Sequence, residues 1–257
     1  MTAGGRRLTG WAWRLGSVLV CVALVLLWQA VADARLVSPV FLPGPDKVWR
    51  ALRHGIETGV LAEKLGGTVL RMLEGWAVAS FAGVGLGALI GVSPAARAWL
   101  GPLLEFLRPL PASAVIPVAI ALFGLTDAMV LGVIGFGALW PMLLATVHGF
   151  AAVEPRLYEV GRALGLSRPA VIWKLALPSA LPDILAGARL GLTVALVLAG
   201  VGEMLAGRDG LGQWILLAAR SFRAPDLYAG VVLFGLLGYA SALLIGVVER
   251  RALRWRM

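Results

Sequence analysis

The chain has 257 residues, 60% of them apolar and only 14% charged, against roughly 25% charged in an ordinary soluble domain. So few polar side chains cannot cover a water-soluble globule, and so apolar a chain does not fit intrinsic disorder. The excess of 23 basic over 14 acidic residues gives +9, which positive charge flanking membrane spans explains without a nucleic-acid surface. The composition is that of an integral membrane protein.

A helix that crosses the hydrocarbon core needs roughly 20 mostly apolar residues. Uncharged stretches of that size run over 15–32, 75–96, 109–126, 128–153 and 227–248, with a shorter one at 190–202. They predict an all-α fold of six transmembrane helices in a single transmembrane domain, 15–257, after a tail over 1–14. The spans are expected at about 15–32, 69–92, 107–124, 128–149, 184–205 and 227–248. Turn chemistry separates them, as in "SPVFLPGP" at 38–45 and "RAPD" at 223–226.

The first stretch follows Arg6 and Arg7 and precedes "AVADA" at 30–34, as a signal peptide would. Its apolar part exceeds the roughly 7–15 residues of a signal-peptide core, so an uncleaved helix is expected. Cys21 lies within this run and, as the single cysteine, forms no internal disulfide. With the N-terminus inside, 14 of the 23 basic residues fall on the cytoplasmic side and nine outside. The prediction is N-in, C-in. Gly83, Gly87 and Gly91, and again Gly187 and Gly191, recur every fourth residue. Such small-residue stripes let helix backbones approach closely in lipid and predict a packed bundle.

The segment 151–182, between the fourth and fifth spans, is long for a membrane-protein loop and helical in pattern. Pro155 suits the first turn of a helix, along which Leu157, Val160 and Leu164 form an apolar stripe. Arg156, Glu159 and Arg162 occupy its other faces. Gly165 should end that helix and Ser167 cap a second, with Ile172, Leu175 and Ala176 as its apolar face. Pro178 and Pro182 should then break the chain before the fifth span. Taken alone, these are two short interfacial helices or a docking element.

Glu159, Gly165 and Leu177-Pro178 resemble the cytoplasmic "EAA…G…I-LP" signature of inner-membrane permeases of binding-protein-dependent ABC importers. Val160 and Gly161 stand where that signature has two alanines, and Leu175 where it has isoleucine. Further likeness lies in "LVSPVFLPGPDKVWRAL" (36–52), "LLEFLRPLPASAVIPVAIALFG" (103–124), "GRDGLGQWILLAARSF" (207–222) and "ERRALRW" (249–255). These look like segments of sulfonate, taurine and nitrate permeases; Leu122 replaces the tryptophan that many relatives carry.

The resemblance implies a transport subunit of a prokaryotic inner membrane, without catalytic residues. It implies two ABC ATPase subunits that hold ATP and Mg, a second permease copy, and a periplasmic or lipid-anchored substrate-binding protein. Arg156, Leu157, Glu159, Val160, Arg162, Leu164, Gly165, Leu177 and Pro178 would then couple this chain to the ATPase. No G-x-x-x-x-G-K-[ST] occurs around Lys47, Lys64 or Lys174, so the chain has no P-loop and no cofactor of its own is expected. No metal-ligand pattern is present either.

Two charges fall within the fifth span. Arg189 and Glu203 are 14 residues apart, about 21 Å along a helix, which is less than the hydrocarbon thickness. Either Arg189 attracts an anion into a translocation path with Glu203 near its outer gate, or Arg189 snorkels and Glu203 caps or pairs. Asp127 is expected to cap a helix, and His148 to be interfacial. A self-sufficient secondary transporter would need more buried ionisable residues than this span offers. An intramembrane enzyme would need a Ser/His, Asp/Asp or metal-binding constellation that is absent. As cargo, the resemblance implies an organic sulfonate or taurine, then nitrate-like anions, then vitamin-like or pyrimidine-precursor ligands.

Overall fold

The computed structural model describes residues 3–107 and 109–256. Residues 1–2 of the expected tail, and Arg108, lie outside the described residues. Eleven α-helices are found among the described residues, and no strand. In chain order they are α1 (Ala3–Asp33), α2 (Pro45–Glu57), α3 (Val60–Gly91), α4 (Pro94–Leu107), α5 (Ala112–Phe123) and α6 (Asp127–Ala151). There follow α7 (Pro155–Ala163), α8 (Arg168–Val171), α9 (Leu177–Ala206), α10 (Leu211–Arg220) and α11 (Ala224–Ala252). Five stretches are long and apolar enough to cross a membrane, and a sixth appears when α4 and α5 are joined.

Three expectations are corrected. First, the span placed at 107–124 is not one helix: α4 and α5 meet at 88°. Pro109 and Pro111 lie in that break, where a proline biases the residue before it away from helical backbone. The 12 residues of α5 measure about 18 Å, short of the hydrocarbon thickness. Second, Pro178 and Pro182 do not break the chain. A π-helical turn at Ile172–Ala176 joins α8 to α9 in one run, Arg168–Ala206. A π-turn replaces the i→i−4 pattern just where Pro178 has no N–H to give, so the helix widens instead of stopping. Third, α3 begins at Val60 rather than near 69, carrying Glu63 and Lys64 on helical backbone. A reading that stops helices at charges misses those turns.

The chain divides into two compact units, one made of the described residues of Met1–Ala62 with Trp214–Val232, the other of Glu63–Gln213 with Leu233–Met257. Within the first, α2 is amphipathic and buries Val48, Leu52 and Gly55. A Cβ at Gly55 would collide with the Leu61 side chain. The rings of Trp28 and Tyr228 lie 5.7 Å apart. Between Leu15 and Leu27 α1 is exposed, Cys21 included.

The second unit is built on the α6–α9 pair, which forms its largest helix interface. Small residues set the close approach: Gly187 faces Ala145 and the Pro141 carbonyl, and Gly191 faces the Ala138 carbonyl. On α3, Gly83, Gly87 and Gly91 meet Met142, Thr146 and Phe150 of α6, a four-residue repeat against a four-residue repeat. The indole N–H of Trp76 on α3 donates to the Ala188 carbonyl at 2.9 Å.

Candidate functional site

At one end of the second unit, α6 hands over to α7 and α8. Pro155 occupies the first turn of α7, and Gly161 is the residue of that helix that becomes buried. A Cβ there would sit 2.8 Å from Val171 Cγ2 and 3.2 Å from Leu175 Cδ1. Gly161 therefore permits α7 to lie tightly on the turn that follows.

The predicted apolar stripe divides. Leu157 and Tyr158 pack against the core, whereas Val160 is 50% and Leu164 69% exposed. The reason is local: Leu157 shares the inward face with Gly161, and Leu164 is already the C-cap, beyond the reach of helical periodicity. Arg156, Glu159 and Arg162 are exposed, and so is Trp173. Leu177 and Pro178 are half-buried in the continuous helix, not on this face.

The end of α7 is a Schellman motif. The Leu166 N–H donates to the Gly161 carbonyl and the Gly165 N–H to the Arg162 carbonyl, both at 3.0 Å. Gly165 takes φ = +69°, a conformation that costs other residues through the Cβ. Around the start of α7, Val153, Leu157, Pro178, Pro182 and Trp255 line a cavity of about 420 Å³. His148 Nδ1 stands 3.4 Å from an Asp183 oxygen at its edge.

At the far end of α9 lies a constellation that the sequence reading did not assemble. Glu203 is 0% exposed, and both its oxygens are engaged. Oε1 accepts from Arg71 Nη1 at 3.1 Å; Oε2 accepts from Thr68 Oγ1 at 3.0 Å and from the Gly212 N–H at 2.9 Å. Arg71 also donates to Asp127 Oδ1 at 2.9 Å and to the Asp209 carbonyl at 2.8 Å. Arg208 grips Asp127 through both carboxylate oxygens, and Lys64 reaches Asp209.

Three cations thus meet three anions. A buried charge needs such partners, because desolvation is otherwise too costly. Glu203 offers no exposed carboxylate for a translocation path, contrary to that expectation. Asp127 is not the cap of α6 either. Thr126 caps it, accepting from the Met129 N–H at 3.4 Å, and Asp127 sits in the first turn, where the helix dipole favours a carboxylate. The available signal was Arg71 and Glu203 themselves, since ionisable residues within membrane helices seek one another. Arg189 lies elsewhere, 52% exposed at its side chain and 3.7 Å from Glu249 of α11.

Comparison with known proteins adds to this geometry. A family described as "Binding-protein-dependent transport system inner membrane component" matches residues 83–254. SsuC of Bacillus subtilis, a protein named as an aliphatic sulfonates transport permease, is 30% identical over 252 residues, covering 98% of this chain and 90% of that one. The taurine transport system permease protein TauC of Escherichia coli is 30% identical over 256 residues, covering 95% and 93%. The bicarbonate transport system permease protein CmpB of Synechococcus elongatus is 26% identical over 258 residues, covering 95% and 92%. Among solved structures, a chain of the inward-facing MetNI methionine ABC transporter shares the fold. Its TM-score is 0.65 at 19% identity, over 75% of this chain and 95% of that one.

Proposed function

Because the chain belongs to the family of binding-protein-dependent transport system inner membrane components, we propose that it forms the membrane path of an ATP-driven importer for a small anionic solute. Two copies enclose the path, two ATPase subunits bind on the cytoplasmic side, and a substrate-binding protein delivers cargo from outside. The termini and α7 are cytoplasmic, following the basic-residue bias. The observation that carries the reading is the exposed face of α7, with Arg156, Glu159, Val160, Arg162 and Leu164 presented beside a fixed glycine turn.

In this reading the chain makes no chemical step. ATP and Mg sit in the partner, and closure of the two ATPases moves α7 and α8 between an inward-open and an outward-open arrangement. Relatives named for sulfonates, taurine and bicarbonate support a small anion as cargo, with organic sulfonates or taurine foremost. Nitrate-like anions, or a vitamin-like or pyrimidine-precursor ligand, are the second reading. Ligand binding by the cognate binding protein distinguishes them.

The test is co-purification of an ATPase with this chain, together with ATP-dependent uptake in vesicles. Partner-free protein is expected to hydrolyse no ATP; turnover by rigorously purified chain alone would end the proposed division of labour. Arg189→Gln is expected to change uptake by less than about twofold, since Arg189 is itself exposed, stands 3.7 Å from a half-buried Glu249, and loose pairs of that kind contribute little. A large loss at subsaturating substrate, with assembly intact, would restore Arg189 to the translocation path.

A further inference from the structure

We propose that the groove between the end of α3, the start of α4 and the helices α7 and α8 binds the phosphate headgroup of an anionic phospholipid. Such a site depends on the membrane spans alone, whatever the cargo.

Two adjoining cavities form the groove. One, of about 520 Å³, has Tyr158, Arg162 and Arg168 in its wall over an apolar floor of Val171 and Ile172. The other, of about 300 Å³, has Arg97 and Pro155. Val92 and Tyr158 belong to both, so the two meet at the tyrosine. The larger has the size that small ligands fill.

Electrostatics select the ligand. Three arginines line the groove and no acidic residue does. Among the described residues none of the three enters a salt bridge. Glu154 lines the separate cavity beside Pro178 and stands 4.0 Å from Arg156. Arg97 donates to the Gly91 carbonyl, which leaves its charge uncompensated. Guanidinium groups hold phosphate through paired hydrogen bonds. Burial pushes the Tyr158 phenol up from its usual value, although Arg97 pulls the other way, so the hydroxyl keeps a proton to donate.

The source of the anion follows from α4. That helix buries none of its residues. Trp99, Leu103 and Phe106 recur along one face and are exposed, while Arg97 is turned from that face to the groove. An apolar stripe with tryptophan, beside a basic groove, is the pattern of a helix lying at the boundary of lipid and water. A soluble anion would meet the arginines and leave the stripe bare. A phospholipid satisfies both, with its phosphate in the groove and its acyl chains along α4.

The experiment is native mass spectrometry of the full chain in detergent, given equal amounts of dioleoyl phosphatidylglycerol and dioleoyl phosphatidylcholine. Wild type is expected to retain the anionic lipid about tenfold over the zwitterionic one. Arg97→Gln and Arg168→Gln are each expected to lower that preference about threefold or more, and the double variant to remove most of it. Arg162 is left unaltered because it also belongs to the exposed face of α7. Arg97 holds the Gly91 carbonyl, so Arg168→Gln, which breaks no hydrogen bond among the described residues, carries the test if the first variant unfolds. Arg220→Gln, at the exposed end of α10, removes a charge elsewhere and should bind like wild type. A wild type without preference, an Arg168→Gln variant that binds like wild type, or an equal loss in Arg220→Gln overturns the proposal. So does displacement of the lipid by millimolar inorganic phosphate, which would make the ligand a soluble anion.

Discussion

Gly165→Val is expected to yield a protein that inserts and dimerises normally but retains its ATPase poorly and imports little. Val160 and Leu164, the apolar part of the exposed face, lie immediately before this residue, and the Schellman hydrogen bonds of Leu166 and Gly165 define its geometry. Gly165 has φ = +69°, yet a Cβ there meets nothing within 4 Å. The penalty is therefore conformational and not a clash within the chain. A β-branched residue forced into that region costs about 1–3 kcal/mol, enough to unwind the last turn of a nine-residue helix. Asparagine tolerates positive φ, so Gly165→Asn should keep most of its activity and Gly165→Ala should fall between. The measurement is ATPase pull-down with uptake in vesicles. Asparagine and valine variants that fail equally would shift the cause from backbone to obstruction of the partner. A valine variant that transports normally would remove α7 from coupling altogether.

Gly87→Leu is expected to act on folding itself, lowering the yield and thermal stability of the detergent-solubilised chain. A Cβ at this position falls 2.6 Å from Thr146 Cβ and 2.8 Å from the Leu143 carbonyl oxygen. Thr146 is fully buried and bonded to the Met142 carbonyl at 2.7 Å, and a backbone carbonyl cannot swing aside as a side chain would. Helices α3 and α6 would have to part, at a cost of about 1–3 kcal/mol for overpacking or more. Gly85 is two positions earlier on the same helix, and a Cβ there meets nothing. Gly85→Ala should be neutral or slightly stabilising, because alanine favours helix by about 1 kcal/mol over glycine. Equal unfolding midpoints for Gly87→Leu and Gly85→Ala would show that the glycine stripe is not a packing surface.

How much of this was legible beforehand follows from what each residue responds to. Apolar runs and four-residue glycine spacing are consequences of lipid and of helix geometry, and both can be read without coordinates. The exposed charges of α7 and the positive φ of Gly165 were legible for the same reason, since they depend on neighbours in the chain. The direction of Leu157 is decided by Gly161 and by the turn beneath it, which periodicity along one helix does not carry. Pro178 reads as a break in the sequence because the widened turn before it has no local signature. The cluster around Glu203 joins residues up to 145 positions apart (Lys64 and Asp209). Its members look individually like ordinary ends of helices, and only their meeting shows that Glu203 is sealed.

The unbroken run from Arg168 to Ala206 has a mechanical meaning. Its 39 residues measure about 58 Å, nearly twice the hydrocarbon thickness. Gly191, pressed on the Ala138 carbonyl, divides it into arms of about 35 Å and 23 Å. As a lever pivoting there, the helix would turn a tilt of about 10° into shifts of roughly 6 Å at Arg168 and 4 Å at Ala206, in opposite directions. A push on the long arm would thus arrive at the short one reduced in travel and multiplied in force. The two ends would thus move in opposite senses without any change in the helix itself.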